Sequence, residues 1–215
     1  MASLSSPMAT ITQQPNNPSL LFFAKTSDPI LHAPCEEVCF PLSEDDEHLI
    51  ASMLYSIHPQ RLAEAKACWP SAAGMAANQW GHNKQIFLFG EKQNRLDFEV
   101  LLNPSYRALE ERDLADLKKE ANSEEEDEKH VKYSFGEGED NLVDGVEGCF
   151  SVPERRGVVR RYRCILAEYQ TVDGGKQRRV ICDWLARVFQ HETDHVRGYL
   201  YTTAPGKLLH MVECE

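Results

Sequence analysis

Gln190-His191-Glu192-Thr193-Asp194-His195 is the stretch around which this 215-residue chain is read. His191 and His195 stand four apart, which on a helix puts both imidazoles on one face, one turn apart. Two such ring nitrogens can grip one metal ion, with Glu192 beside them. This is the H-E-x-x-H pattern, in which the glutamate moves protons and does not bind the metal. A buried helix with two histidines satisfied by hydrogen bonds is the plainer alternative. Asp183 can cap a helix starting at Trp184. Trp184, Val188, His191 and His195 then fall at i, i+4, i+7 and i+11, a single stripe that Leu185 and Phe189 widen. The histidines continue an apolar face, where two unpaired polar rings would be costly and one ion would satisfy both. Gly198 supplies a stop. A catalytic metal usually takes three protein ligands and keeps a fourth position for water. The third ligand could be a His, Glu or Cys elsewhere in the chain.

Length fits one domain with a substantial core, and 42% hydrophobic residues fit a globular protein. A formal charge of −11 argues against non-specific binding to nucleic acid or to an anionic membrane. No apolar run is long enough to span a bilayer. Seven cysteines at irregular spacing, without a secretory signal, predict a reducing compartment with most thiols free. Cys35 and Cys39 read as small apolar residues.

Residues 1–20 carry no Lys, Arg, Asp or Glu and read as a disordered tail. The remainder, 21–215, reads as a single domain. Leu21–Phe40 is expected to lie over the core as an extended arm. Ser43–Ile57 is expected to be helical, with carboxylates in its first turn and Pro59 ending or kinking it, and Gln60–Cys68 could form a further short helix. In Ser71–Gln79 small residues let backbone approach closely, which on its own reads as a packed turn. Strands are expected over Gln85–Phe89 and Phe98–Asn103, the latter ending at Pro104. One long strand is expected over Val158–Gln170, turning at Asp173-Gly174-Gly175 into a return strand at Arg178–Ile181. Tyr199–Thr203 reads as short and extended. Residues 109–140 hold 13 acids against five bases, which is −8 of the −11. The acidity therefore belongs to an insert, read as a solvated loop with a docking tail or lid as the functional alternative.

Gly74-Met75-Ala76-Ala77-Asn78-Gln79, Glu147-Gly148-Cys149-Phe150-Ser151-Val152-Pro153 and the histidine stretch stand in an order that resembles the peptide deformylases. The resemblance runs over about 28–203, less the acidic insert, and takes in Asn103-Pro104, Val159-Arg160-Arg161 and Ala186-Arg187-Val188-Phe189. It implies an α+β fold with mixed or antiparallel sheets packed around a central metal-binding helix. It implies that Cys149, His191 and His195 hold one divalent ion, ferrous iron by family habit, with zinc, nickel or cobalt as substitutes. Glu192 would take the proton of the metal-bound water and pass it to the leaving amine. The Gln79 amide and the Phe150 backbone N–H would steady the oxyanion. Gly74, Met75, Gly148 and Arg156 would meet substrate, and a Glu147–Arg161 pair would fix the cysteine loop. Asp194 would either face solvent or orient a neighbouring ligand. The reaction implied is removal of formyl from the N-terminal formyl-methionine of nascent peptides, near the ribosome exit, without direct contact to nucleic acid or membrane.

The chain departs from the family pattern at Ala72, where a glycine is usual, at Asn78 and at Phe150. If position 72 needs a positive φ, alanine costs roughly 1–2 kcal/mol there. Two competing readings are a divergent metal-dependent amidase or peptidase acting on another blocked peptide, and a non-catalytic metal-binding protein. The expected location is cytoplasmic, or mitochondrial or plastid if the tail is a transit peptide. The tail's lack of arginine argues against import.

Overall fold

Phe189 marks the middle of the fold. Its ring meets Phe87 at 5.2 Å, Phe89 at 5.9 Å and Tyr106 and Tyr169 at 6.4 Å. The computed structural model describes residues 18–90, 97–110, 112–113 and 141–212. Among them are three α-helices, α1 (Glu44–Ser56), α2 (Pro59–Glu64) and α3 (Asp183–Val196). There are eight strands: β1 (Gly74–Ala76), β2 (Ile86–Gly90), β3 (Phe98–Ala108), β4 (Leu142–Cys149), β5 (Val152–Tyr162), β6 (Cys164–Gln170), β7 (Lys176–Cys182) and β8 (Leu208–Val212). One sheet has the order β1-β2-β3-β6-β7 and the other β4-β5-β8. Every strand pairing is antiparallel. Helix α3 touches strands of both sheets, and its core residues Ala186, Val188, Phe189 and Val196 join Phe87, Phe89, Leu101, Ile165 and Ile181 in one cluster. This is the α+β arrangement expected, with the histidine helix at its centre.

Local chemistry explains the helices. Ser43 caps α1 by accepting from the Asp46 N–H at 3.1 Å, and four carboxylates fill the first turn. Leu49, Ile50, Met53 and Ile57 pack on the face of the larger sheet opposite α3. Pro59 does not kink α1; it opens α2, where its missing N–H costs nothing. Gly198 ends α3 at φ +81°, donating to the His195 carbonyl at 3.0 Å. A Cβ there would lie 2.6 Å from the Ala33 carbonyl carbon, a backbone atom that cannot step aside. Gly198→Ala is therefore expected to cost about 2–4 kcal/mol from the positive φ and the overpacking together. A lowered thermal midpoint checks this.

Several expectations need correction. Asp183 is not an N-cap before Trp184. It is the first residue of α3, at φ +56°, and its carboxylate pairs with Arg163 Nε at 3.0 Å instead of with helix N–H groups. Val158–Gln170 is not one strand. The chain changes sheet at Arg163, between β5 and β6, and Asn141 braces the change by bonding both the N–H (2.8 Å) and the carbonyl (2.7 Å) of Cys164. β3 does not stop at Pro104 but runs on to Ala108. The register shifts between Leu102 and Ser105, so the proline sits in a bulge where no ladder N–H is needed. Asn103, at φ +50°, turns its side chain to bond both the N–H and the carbonyl of Val38. Tyr199–Thr203 is a turn, with the Thr203 and Ala204 N–H groups donating to the Leu200 carbonyl. Ala72 has no positive φ, so it carries no such strain.

Four of the described cysteines are free thiols, in line with the expectation, and two are not. Cys164 and Cys182 face each other across β6 and β7 and form a disulfide. Irregular spacing in sequence cannot show a pair that only strand register brings together. Cys35 is buried, as expected of a small apolar residue, but Cys39 is exposed. Cys214, residues 1–17 and most of the acidic insert lie outside the described residues. Ser19, within the expected tail, donates its N–H to Ser52 Oγ on α1 at 3.1 Å. Asp113, within the insert, is buried against Arg107. No helix among the described residues is long and apolar enough to cross a membrane.

Candidate active site

The strand pairing of β4 with β5 ends at a register shift between Gly148 and Cys149, which turns the cysteine inward from the smaller sheet. Helix α3 crosses beneath and brings its two histidines to the same point. The ligating atoms of Cys149, His191 and His195 all lie within 4.8 Å of one another. Cys149 Sγ is 3.2 Å from His195 Nε2. Ligands bound at about 2.0–2.3 Å around a tetrahedral ion stand roughly 3.3–3.6 Å apart, so this spacing suits one. His191 Nδ1 hydrogen-bonds Glu147 Oε2 at 2.8 Å, which leaves Nε2 for the cluster. Burial opposes charge on His191, yet its bonds to the Cys149 sulfur and to Glu147 hold its pKa well above the usual histidine range. Burial, joined by the charges of His191 and Arg161, pushes His195 well below that range. A histidine that binds a metal must be neutral, so an ion bound here displaces the proton that the sulfur and Glu147 favour on His191, whereas His195 is already neutral.

Glu192 lies on the same helix, buried, with Oε2 unpartnered by any protein atom, and it lines an open cleft of about 370 Å³. Burial pushes its carboxyl up to about 7. Room for it comes from β1: a Cβ on Gly74 would meet Glu192 Cγ and Oε1 at 2.8 Å. Gln79 follows β1 in a short 3-10 turn (Ala77–Trp80). Its Oε1 accepts from the Ala76 N–H at 2.9 Å, which aims Nε2 at Cys149 Sγ (3.5 Å) and Ser151 Oγ (3.3 Å). Phe150 lines the cleft, and its ring stacks on Phe23 of the N-terminal arm at 5.3 Å.

The second ring of residues is charged. Arg161, fully buried, grips Glu147 through Nε (2.9 Å) and Nη2 (2.8 Å) and reaches Asp194 through Nη1. Asp194 therefore faces inward and not toward solvent. Burial works against the Glu147 carboxylate, but its bonds to Arg161 and His191 keep it far below the usual range. Gly148 and Arg156 line the cleft, with Arg156 over the Trp69 ring at 4.8 Å. Met75 stands apart: it is fully buried in the core beside α1 and does not line the cleft, so the structure does not bring it to a substrate as expected.

Several residues that shape this site had no role assigned to them in the sequence. Asn78 Nδ2 donates to the His195 carbonyl at 2.6 Å and so pins the end of α3. Arg187 donates to Glu147 Oε1 and to the Val159 carbonyl at 2.9 Å. It does so from beneath Gly145, where a Cβ would come within 2.8 Å of its guanidinium carbon. A glycine inside a strand is the one hint of such an approach. Trp69, Val146, Trp184 and Val188 form the apolar part of the cleft wall.

A thiol and two imidazoles gathered beside a buried carboxylate, at the foot of an open cleft, mark a metal-dependent hydrolase. The chain belongs to the polypeptide deformylase family, whose model matches residues 21–208. It is similar to a peptide deformylase of Macrococcus caseolyticus, 30% identical over 179 residues, which is 80% of this chain and 83% of that one. A 60-residue stretch is 47% identical to peptide deformylase 2 of Nostoc sp.; the match spans 28% of this chain and 34% of that protein. Among solved structures, a peptide deformylase from Synechococcus elongatus in complex with actinonin matches with a TM-score of 0.59 at 26% identity, over 84% of this chain and 78% of that one.

Proposed function

We propose that this deformylase removes the formyl group from N-formylated peptides at the cleft above Cys149, with one divalent ion held by Cys149, His191 and His195. The observation that carries the reading is the meeting of those three side chains, from two distant stretches, next to Glu192 and Gln79. When bound, the ion polarises the formyl oxygen and lowers the pKa of a water to about 7. Sulfur with two imidazole nitrogens suits borderline cations. Ferrous iron is the expected occupant, with zinc, nickel or cobalt as substitutes.

The protein groups do the rest. Glu192 takes the proton of the attacking water and returns it to the amine as the formamide C–N bond breaks and formate leaves. A carboxyl near neutrality is well placed for both transfers. The Gln79 amide and the Phe150 N–H donate to the oxyanion formed on the way. Gly74 and Gly148 offer backbone to the peptide, and Arg156 faces its polar groups. The apolar wall of Trp69, Val146, Trp184 and Val188 receives the first side chain. Gln79→Ala is expected to lower kcat about 10²- to 10³-fold while metal content stays at one per chain, because one oxyanion donor is lost. Single-turnover kinetics on metal-analysed protein measure this.

The natural substrate on this reading is a formylated nascent peptide met near the ribosome exit, in the cytoplasm, or in a mitochondrion or plastid if the tail directs import. Purification without oxygen, metal analysis and a formate-release assay on formyl-Met-Ala-Ser test it. One ion per chain and equal yields of formate and free amine are expected, with acetyl-Met-Ala-Ser left intact. Chelation should abolish turnover and ferrous iron should restore it. If Cys149→Ala kept both its ion and its turnover, the assignment of the site would fall.

A further inference from the structure

The hold on His191 does not end at Glu147. Arg161 spends Nε and Nη2 on Glu147 and has only Nη1 left for Asp194. Asp194, 2% exposed, needs more than that one donor to be satisfied so deep in the protein. Lys207 supplies it: Nζ lies 2.6 Å from Asp194 Oδ1 and 2.8 Å from Oδ2. This is not a wandering surface lysine. Its carbonyl accepts from the Arg160 N–H at 2.8 Å, which ties it beside Arg161, and Nζ also donates to Tyr106 Oη on β3 at 3.0 Å.

We infer that Lys207 is a positioning residue for His191, acting through a continuous chain of charged hydrogen bonds, Lys207–Asp194–Arg161–Glu147–His191. The inference rests on the reading of His191 as a metal ligand. With both Asp194 oxygens engaged by Lys207, Arg161 keeps two of its donors on Glu147, and Glu147 keeps the imidazole in one tautomer and one orientation. Without Lys207, a half-satisfied Asp194 draws the guanidinium toward itself, and the grip on Glu147 loosens. A change along such a contiguous network typically moves a distant binding equilibrium by about 2- to 30-fold. Lys207 does not line the cleft, so peptide binding should not register the change.

The test compares wild type, Lys207→Met and Lys207→Arg, each loaded with cobalt(II). Cobalt affinity is measured by competition with a chelator, the d–d and sulfur-to-cobalt bands by absorption, and KM on formyl-Met-Ala-Ser. Lys207→Met is expected to bind cobalt about 2- to 30-fold more weakly with displaced bands and an unchanged KM. Lys207→Arg should restore both affinity and bands. If Lys207→Met only melts earlier, with wild-type affinity and spectrum, Lys207 is structural and the inference fails. Should Lys207→Met not fold, Lys207→Gln is judged by the same two readouts. A wild-type protein showing no sulfur–cobalt band defeats the reading of the site itself. A normal wild-type band together with an indifferent Lys207→Met defeats only the role of Lys207.

Discussion

Glu192→Ala is expected to keep its ion and lose about 10²- to 10⁴-fold in turnover of formyl-Met peptides, the range for removing a general acid–base group. The carboxylate is buried, lines the cleft and keeps one oxygen without a hydrogen-bond partner among the described residues, ready to take the proton. The three ligating side chains remain, so metal content should stay at one per chain. The same group sets a pH limb. Burial raises the carboxyl to about 7, and the charge of a bound ion favours the carboxylate and pulls that value down again. The base form is thus lost as pH falls, and kcat/KM should drop through a limb at or below pH 7 that is missing from the variant. Equal activity of wild type and Glu192→Ala across pH 5–8, a window set on the order of the group's own pKa, would remove the mechanism.

Arg161→Ala is expected to be the most destabilising single change at the site, at about 3–5 kcal/mol. The guanidinium is buried, and its removal strands Glu147 and Asp194 together in the interior with Arg187 and Lys207 as the nearest cations. For a chain of this size each kcal/mol moves the melting midpoint by about 2–4 °C, so a fall of roughly 6–20 °C is expected. Metal content should fall as well, because Glu147 then no longer fixes His191. Calorimetry with metal analysis on the same sample measures both. A variant that keeps its midpoint and its ion would show that the buried ion pair contributes little.

The site was more legible than the scaffold around it. His191 and His195 pair through helical spacing, because about four residues make one turn, and Glu192 follows from the H-E-x-x-H pattern. The helix itself was visible in its apolar stripe, and its end in Gly198. Cys149, Gln79 and Gly74 could be joined to it only through a family pattern, since nothing in local spacing says that β1 and the end of β4 meet over α3. The errors fall where tertiary contacts override local rules. The alternation from Val158 to Gln170 reads as continuous in sequence, but only β5 follows it; β6 buries Cys164 to Ala167 in a row, covered on both faces. Pro104 looked like a strand end, but a bulge makes room for it. Asp183 has the chemistry of a cap, yet Arg163 takes its carboxylate. Lys207 and Asn78 look like ordinary polar residues in sequence, and their partners are more than ten positions away.

The base of the acidic insert shows what that segment can and cannot do to the enzyme. Leu109 donates its N–H to the Cys164 carbonyl at 3.1 Å, and Asn141, on the far side of the insert, holds the same carbonyl. Positions 109 and 141 are therefore brought together at one carbonyl, like the neck of a bag drawn shut. Once two ends are held this way, doubling the length of chain between them costs only about 0.6 kcal/mol. Positions between 113 and 141 are thus a natural place to shorten the chain or to splice in a reporter domain.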